Sequence, residues 1–352
     1  MTVAVENCLL LAGDDLTEIP EATVVFADGV VAAAGRGVTV PQDAEVIDAH
    51  GAVLAPGFID AHVHIAFFPP RAVVAGGITT ARDLGWPPEE IHPLARRSTQ
   101  PGFDGPKIVA AGPILTVERG YPTRAAWAPP GTARVVGSTQ DGRQAVREVS
   151  ARGSCAVKVA LNAAAGPTLP RPWLEAIVEQ AHAEGLKVTA HITGLDELAK
   201  AVEAGVDESA HMLMSTETIP AELLSAMVSG GMTVVPTLSC RFGRDLDVAV
   251  KNLESFAGAG GRVVYGTDLG NQGPRPGIDA REIAAMKRAG FSPPDIISSA
   301  TTVSADWLGL PDRGAIEAGR AGDAVLLDPS CLRDAKALTH VRAVWRDGVR
   351  RR

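Results

Sequence analysis

The chain has 352 residues, a net charge of −8 and an apolar content of 46%. That length suits one large barrel or two ordinary domains. An acidic balance without a basic block argues against nucleic-acid binding, which needs clustered Lys and Arg, and no stretch long enough to cross a bilayer escapes interruption by charge, Gly or Pro.

The four cysteines, Cys8, Cys155, Cys240 and Cys331, are scattered and form no C-x-x-C pair. Free thiols in a reducing compartment are the simplest reading. With no basic segment leading into a long apolar core at the start, a cytoplasmic location is expected. Arg350 to Arg352 read as a solvated tail.

In chain order, residues 2–54 alternate short apolar runs with turn residues. Asn7–Leu11, Ala22–Phe26, Val30–Ala34 and Glu45–Asp48 read as small antiparallel strands. A strand ending at His62 to His64 follows. The middle alternates apolar runs with amphipathic stretches. Its further strands are Thr79–Asp83, Lys107–Gly112, Ala156–Leu161, Lys187–Ile192, Glu208–Met212, Thr233–Leu238 and Val263–Asp268. Helices are expected over Arg171–Glu184, Leu195–Ala204, Ala221–Ser229 and Asp279–Ala289. The β texture returns at Ala324–Asp328 and Val341–Gly348.

Eight strand–helix units over roughly 250 residues match an α/β fold of the (β/α)8 TIM-barrel type. The two β-rich ends suggest one small β-sandwich domain built from both termini. The expected boundaries are 1–55 plus 308–352 for the split domain and 56–307 for the barrel. No Gly-x-Gly-x-x-Gly opens a helix after the first strand, which weakens a dinucleotide-binding alternative.

The polar candidates sit at matching places. His62 and His64 end the first barrel strand and, two apart, point the same way. Lys158 lies in the fourth strand, His191 in the fifth, His211 in the sixth, and Asp268 ends the eighth. Such strand ends converge on the active site of a TIM barrel. One strand-end histidine is ordinarily a satisfied core or rim residue. Four histidines and an aspartate at the same strand ends are hard to explain that way, and they point to a metal site.

Lys158 is flanked by Ala156, Val157, Val159 and Ala160. A bare ammonium in such surroundings is costly unless paired or neutralised. Carbamylation by CO₂ would make it an anionic, two-oxygen ligand. A lysine paired with Asp268 or with substrate, beside a single metal, is the alternative.

Pro56-Gly-Phe-Ile-Asp-Ala-His-Val-His64, Gly77–Gly85, Val157-Lys-Val159, Thr189-Ala-His191, Glu208-Ser-Ala-His211 and Gly266-Thr-Asp268 together resemble the amidohydrolase superfamily, and within it the imidazolonepropionase-like and prolidase-like branch. The segments Gly319–Asp328 and Val341–Gly348 also look like that family's C-terminal β-segment, so the resemblance spans nearly the whole chain. It implies two divalent metal ions, with Zn²⁺ best suited and Mn²⁺, Co²⁺ or Fe²⁺ possible. His62, His64 and Asp268 would hold one and His191 and His211 the other, with carbamylated Lys158 and a water or hydroxide between them. Asp268 would carry the proton from that water to the leaving amine. The implied outcome is hydrolysis of an amide or related C–N bond in a small amide, cyclic amide or dipeptide-like molecule. A lyase, decarboxylase or isomerase on the same scaffold, and a non-catalytic binding homologue, are the alternatives.

The loop after the third strand, Gly112–Arg124, lacks the histidine that related dipeptidases often carry. The strand-5 histidine is followed by Ile192-Thr-Gly194 where relatives often place a second one. The loop after His64 is short, which predicts an open mouth on that side. Substrate contacts are expected from Tyr121, Arg119, Arg124 and Arg241, with arginine able to grip a carboxylate bidentately. Trp86 and Trp127 either line an apolar pocket or pack on the rim. Arg82 and Asp83 read as a structural pair beneath the site, and His50, His92, His182 and His340 as ordinary. The expected partner is a small-molecule substrate, with no nucleic acid, no membrane and a possible homo-oligomer.

Overall fold

A computed structural model describes residues 2–213, 215 and 217–352. Met1, Met214 and Thr216 of the expected domain ranges therefore lie outside the described residues. The N-terminal strands are Val3–Ala12 (β1), Thr17–Ala27 (β2), Val30–Gly35 (β3), Glu45–Asp48 (β4) and Val53–Pro56 (β5). The middle supplies Phe58–Val63 (β6), Ile78–Asp83 (β7), Lys107–Ala110 (β8), Ile114–Thr116 (β9), Ala133–Val135 (β10), Val157–Leu161 (β11), Val188–Ile192 (β12), Glu208–Ser209 (β13) and Thr233–Val234 (β14). Ala324–Leu327 (β15), Val341–Arg346 (β16) and Val349–Arg350 (β17) close the chain.

Both termini meet in one eight-stranded sheet of order β17-β16-β15-β5-β1-β2-β3, with β4 on β1. β15 lies antiparallel to β5, which stitches residues 324–327 to residues 53–56. Of the arginines expected as a solvated tail, Arg350 and Arg352 are exposed, Arg350 pairing with Trp345 through the sheet, whereas the Arg351 side chain is only 12% exposed.

The middle forms two parallel sheets, β6-β7-β8 and β10-β9-β11-β12-β13-β14. Every position of β6, β7, β11 and β12 is buried. Strands covered on both faces read as continuous apolar runs rather than alternating ones, which is why the sequence shows them so plainly. Helices lie between them. Those over Arg171–Ala183, Leu195–Glu203, Ala221–Ser229 and Ala280–Arg288 fall within a residue or so of expectation. The last is capped by Asp279, whose carboxylate accepts from Arg281 N and Glu282 N at 2.9 Å each.

Two connections join the parallel sheets. The expected third strand, Lys107–Gly112, ends at Ala110, and β8 pairs with β7. Gly112 takes φ +81° and Pro113 has no N–H to offer, and beyond them β9 forms within the segment expected as a loop and pairs with β11. On the other side the segment expected as the eighth strand, Val263–Asp268, forms no continuous strand; Val263 bridges Val234, and Leu269 just beyond it bridges Val63. Through these it touches both β6 and β14. The architecture is TIM-barrel-like α/β, and it turns the C-terminal ends of β6, β11 and β12 toward one cavity.

Candidate metal centre

His62 and His64 lie side by side, with ring centroids 5.6 Å apart. Each has its outer nitrogen tied down. His62 Nδ1 donates to the Ala210 carbonyl at 2.9 Å, and His64 Nδ1 to the Gly85 carbonyl at 3.1 Å. Carbonyl oxygen only accepts, so the proton sits on Nδ1 and Nε2 is left as a free lone pair. Gly85 is itself held, since its N–H donates to Asp83 Oδ1 at 3.1 Å. Asp83 also accepts from Ile65 N at 2.8 Å.

His191 and His211 come from β12 and from the turn after β13. His191 Nδ1 and His211 Nε2 face each other at 2.8 Å. The outer atoms are again engaged. His211 Nδ1 lies 2.8 Å from Thr237 Oγ1, and His191 Nε2 lies 3.2 Å from Asn162 Nδ2. All four rings thus present their inner nitrogen to the cavity.

Asp268 closes the set. Its Oδ1 stands 3.3 Å from both His62 Nε2 and His64 Nε2. The residue adopts φ +57°, a left-handed conformation that aims the carboxylate inward. A close approach supports this turn. A Cβ on Gly266 would fall 2.3 Å from Val235 Cγ1 and 3.0 Å from His62 N.

Lys158 is the second residue of β11, 2% exposed, and its Nζ has no hydrogen-bond partner among the described residues. Burial draws its ammonium down to about 7, against the opposing pull of Asp268. Much of it is then neutral amine near neutral pH, the form that reacts with CO₂. Burial also holds His62 and His211 well below the ordinary imidazole value and takes His191 to about 3. Neutral imidazoles are metal ligands. Burial works against charge on Asp268 too, but the surrounding histidines keep it far below the usual carboxylate range. His64 is the exception among the rings, as Asp268 outweighs burial and raises it.

This donor set fits a divalent metal. His62, His211 and Asp268 each offer a ligand atom within 4.8 Å of the others, and Lys158 Nζ and Asp268 Oδ1 are buried without a hydrogen bond. Buried polar atoms are nearly always satisfied, so two orphans in one cavity mark a place for something the chain itself does not supply.

The cavity, about 400 Å³, is lined by all six of these residues and by Tyr121, Trp127, Asn162 and Arg241. Tyr121 stacks on His191 at 4.7 Å, and Trp127 lies 5.1 Å from His64 and donates to Tyr121 Oη at 3.1 Å. Burial lifts the Tyr121 phenol to about 12. Arg119 and Arg124 are exposed and do not line the cavity. Trp86 packs on Phe67 at 5.2 Å and donates to Glu90, at the rim rather than inside.

Arg82 and Asp83 do not pair. Neighbouring residues of a strand point to opposite faces, and Arg82 instead donates to Glu208 at 2.6 Å, while Asp83 serves backbone. Sequence reasoning missed Asn162 and Thr237, which orient two histidines. Each follows a strand by a residue or a few, but neither carries a local motif that would single it out. His50, His182 and His340 are exposed, and buried His92 lies outside the cavity.

The amidohydrolase family profile matches residues 53–351. The chain belongs to this family and is a hydrolase of carbon–nitrogen bonds. Imidazolonepropionase of Deinococcus deserti is 26% identical to it over 391 aligned positions, spanning 96% of this chain and 93% of that one. Among solved structures, an amidohydrolase is 25% identical, with a TM-score of 0.83 over 99% of this chain and 98% of its own. A Xaa-Pro dipeptidase with methionine in its active site shares the fold, with a TM-score of 0.84 and 21% identity over 99% of each chain.

Proposed function

We propose that the cavity hydrolyses an amide bond in a small amide, cyclic amide or dipeptide-like molecule, with two divalent metal ions as cofactors. The observation that carries this reading is the partnerless Lys158 Nζ, buried at the meeting point of four inward-facing imidazoles and the Asp268 carboxylate. His62, His64 and Asp268 would hold one ion and His191 and His211 the other. Lys158, carbamylated as its amine adds to CO₂ and releases a proton, would serve both. Zn²⁺ suits these nitrogen and oxygen donors best, with Mn²⁺, Co²⁺ or Fe²⁺ as alternatives. Bound there, such ions supply an acidified water and a polarised substrate carbonyl.

The chain's own residues do the rest. Asp268, kept ionised by its histidine neighbours, takes a proton from the attacking water and gives it to the leaving amine. Ala210, Gly85, Thr237 and Asn162 hold the rings in place, so no reorganisation is needed during the reaction. Tyr121 and Trp127 form the apolar wall against which the substrate lies.

The sheet of both termini is read as a small split domain, 1–55 plus 308–352, beside a closed barrel over 56–307. The four free cysteines support a cytoplasmic site of action. No helix of the described residues is long and apolar enough to cross a membrane. The testing experiment is a screen of the metal-loaded enzyme against N-acyl amino acids, dipeptides, lactams and hydantoins, with a chelated sample as control. Chelator-sensitive release of an amine from one of these classes is the expected result, and turnover unaffected by chelation would overturn the reading.

A further inference from the structure

We propose that Arg241 is the anion anchor of this cavity, and that the substrate amide carries a carboxylate next to an aryl or branched apolar group, as in an N-acyl amino acid. This rests on the hydrolase reading above and narrows its substrate class.

Among the described residues, Arg241 is the one arginine lining the cavity. Its Nε is buried without a hydrogen bond, and its guanidinium forms no ion pair among the described residues. Nearby arginines are engaged. Arg82 is spent on Glu208 and the Ala61 carbonyl. Arg281 is spent on the carbonyls of Ser239 and Arg241, with its guanidinium 4.3 Å from the Phe242 ring. A largely shielded cation with unused donors favours an anionic ligand, and the planar fork matches a carboxylate.

The backbone that carries Arg241 is fixed in advance. Ser239 N donates to Glu282 Oε2 at 2.7 Å, and Ser239 Oγ donates to the Thr267 carbonyl at 2.9 Å, one residue before Asp268. The helix Ala280–Arg288 therefore holds the Arg241 turn in register with the proton-carrying aspartate. Little ordering remains to be done when a ligand binds. Ile114, Tyr121 and Trp127 supply the apolar surface in the same cavity, which at about 400 Å³ is sized for an amino-acid derivative rather than a polymer.

The test compares N-acetyl-L-phenylalanine with N-acetyl-L-phenylalaninamide, which differ only in the carboxylate. Binding of each to the metal-loaded protein is measured by calorimetry, for wild type, Arg241→Gln and Arg241→Lys. The wild type should bind the acid about ten- to a hundredfold more tightly than the amide, as charge-assisted bidentate bonds allow. Arg241→Gln should erase that preference, and Arg241→Lys should keep part of it. Equal binding of the two ligands by wild type, no binding of either, or a preference that survives in Arg241→Gln overturns the proposal. A surviving preference would place the carboxylate on the metals instead. Failure of the hydrolase reading is seen separately. It is the absence of chelator-sensitive turnover on any amide, whereas brisk turnover of neutral amides without an acid preference sinks the Arg241 assignment alone.

Discussion

Two polar clusters are buried within the same strands, and they differ in one respect. The first is the cavity set of His62, His64, Lys158, His191, His211 and Asp268. The second is the set around Glu208 and Asp60. There Glu208 accepts from Arg82 and Thr189 at 2.6 Å each on one oxygen, and from Trp307 on the other. Nearby, Asp60 accepts from Thr267 Oγ1 at 2.6 Å and from the N–H groups of His62 and Thr267. Both clusters are as buried as the apolar core. The Glu208 and Asp60 groups satisfy one another and need nothing more. The cavity set orients every ring from outside, and its Lys158 Nζ and Asp268 Oδ1 are buried without a hydrogen bond among the described residues. Mutual satisfaction marks a structural network, and buried polar atoms without a partner mark a ligand site.

That contrast predicts different failures. The largest effect falls on Lys158→Ala, which should lose metal and lower kcat/KM by more than about a thousandfold, with partial rescue by small carboxylates. Fold stability should barely fall, because no protein partner is stranded. Wild-type metal content in this variant, checked by elemental analysis, would erase the distinction. Asp268→Asn should keep much of its metal yet lower kcat by about a hundred- to ten-thousandfold. Full activity against a confirmed substrate would remove the proton-carrying role.

Glu208→Gln is the converse case. Breaking a buried ion pair leaves the Arg82 charge uncompensated and costs roughly 3–5 kcal/mol. Denaturant melts should show this loss while metal content per folded chain holds. Asn162→Ala should be milder, weakening metal affinity by about ten- to a hundredfold through a poorly oriented His191, as competition with a chromogenic chelator would report.

Glu282 gives a pH-dependent test. Burial raises its carboxyl to about 8, with the Ser239 N–H pulling the other way. The folded protein thus holds a proton that the unfolded chain releases in the ordinary carboxylate range. The stability linked to this group is full at the acid end of that window and is lost as pH rises to about 8. Glu282→Gln lacks this loss, so its stability relative to wild type should grow between pH 5 and pH 8.5, by roughly 1 kcal/mol or more. A difference that stays flat with pH would mean that the carboxyl is already ionised when folded.

The cavity set was legible in the sequence because each member ends or occupies a conspicuous apolar strand, and strand ends of this fold converge. The closed clusters were not, because their bonds link residues far apart in the chain. Arg82 was matched to adjacent Asp83 when its partner is Glu208, 126 residues on. Gly112-Pro113 signals the end of the third strand, but the short strand Ile114–Thr116 beyond it falls in the segment expected as a loop. The left-handed backbone at Asp268 has no local sequence signal beyond the residue type, although aspartate is among the non-glycine residues that visit this region most readily. Substrate contacts were the least legible. Of three arginines considered, only Arg241 reaches the cavity, because loop paths rather than residue types decide which side chain turns inward.

The central claim is that the cavity around Lys158 is a two-metal site with a carbamylated bridge. The direct measurement is elemental analysis of protein purified without chelator, alongside ¹³C NMR after incubation with labelled bicarbonate. The account predicts about two transition-metal ions per chain and one carbamate carbon signal that Lys158→Ala abolishes. One ion per chain, or no carbamate signal in the metal-loaded protein, would contradict it.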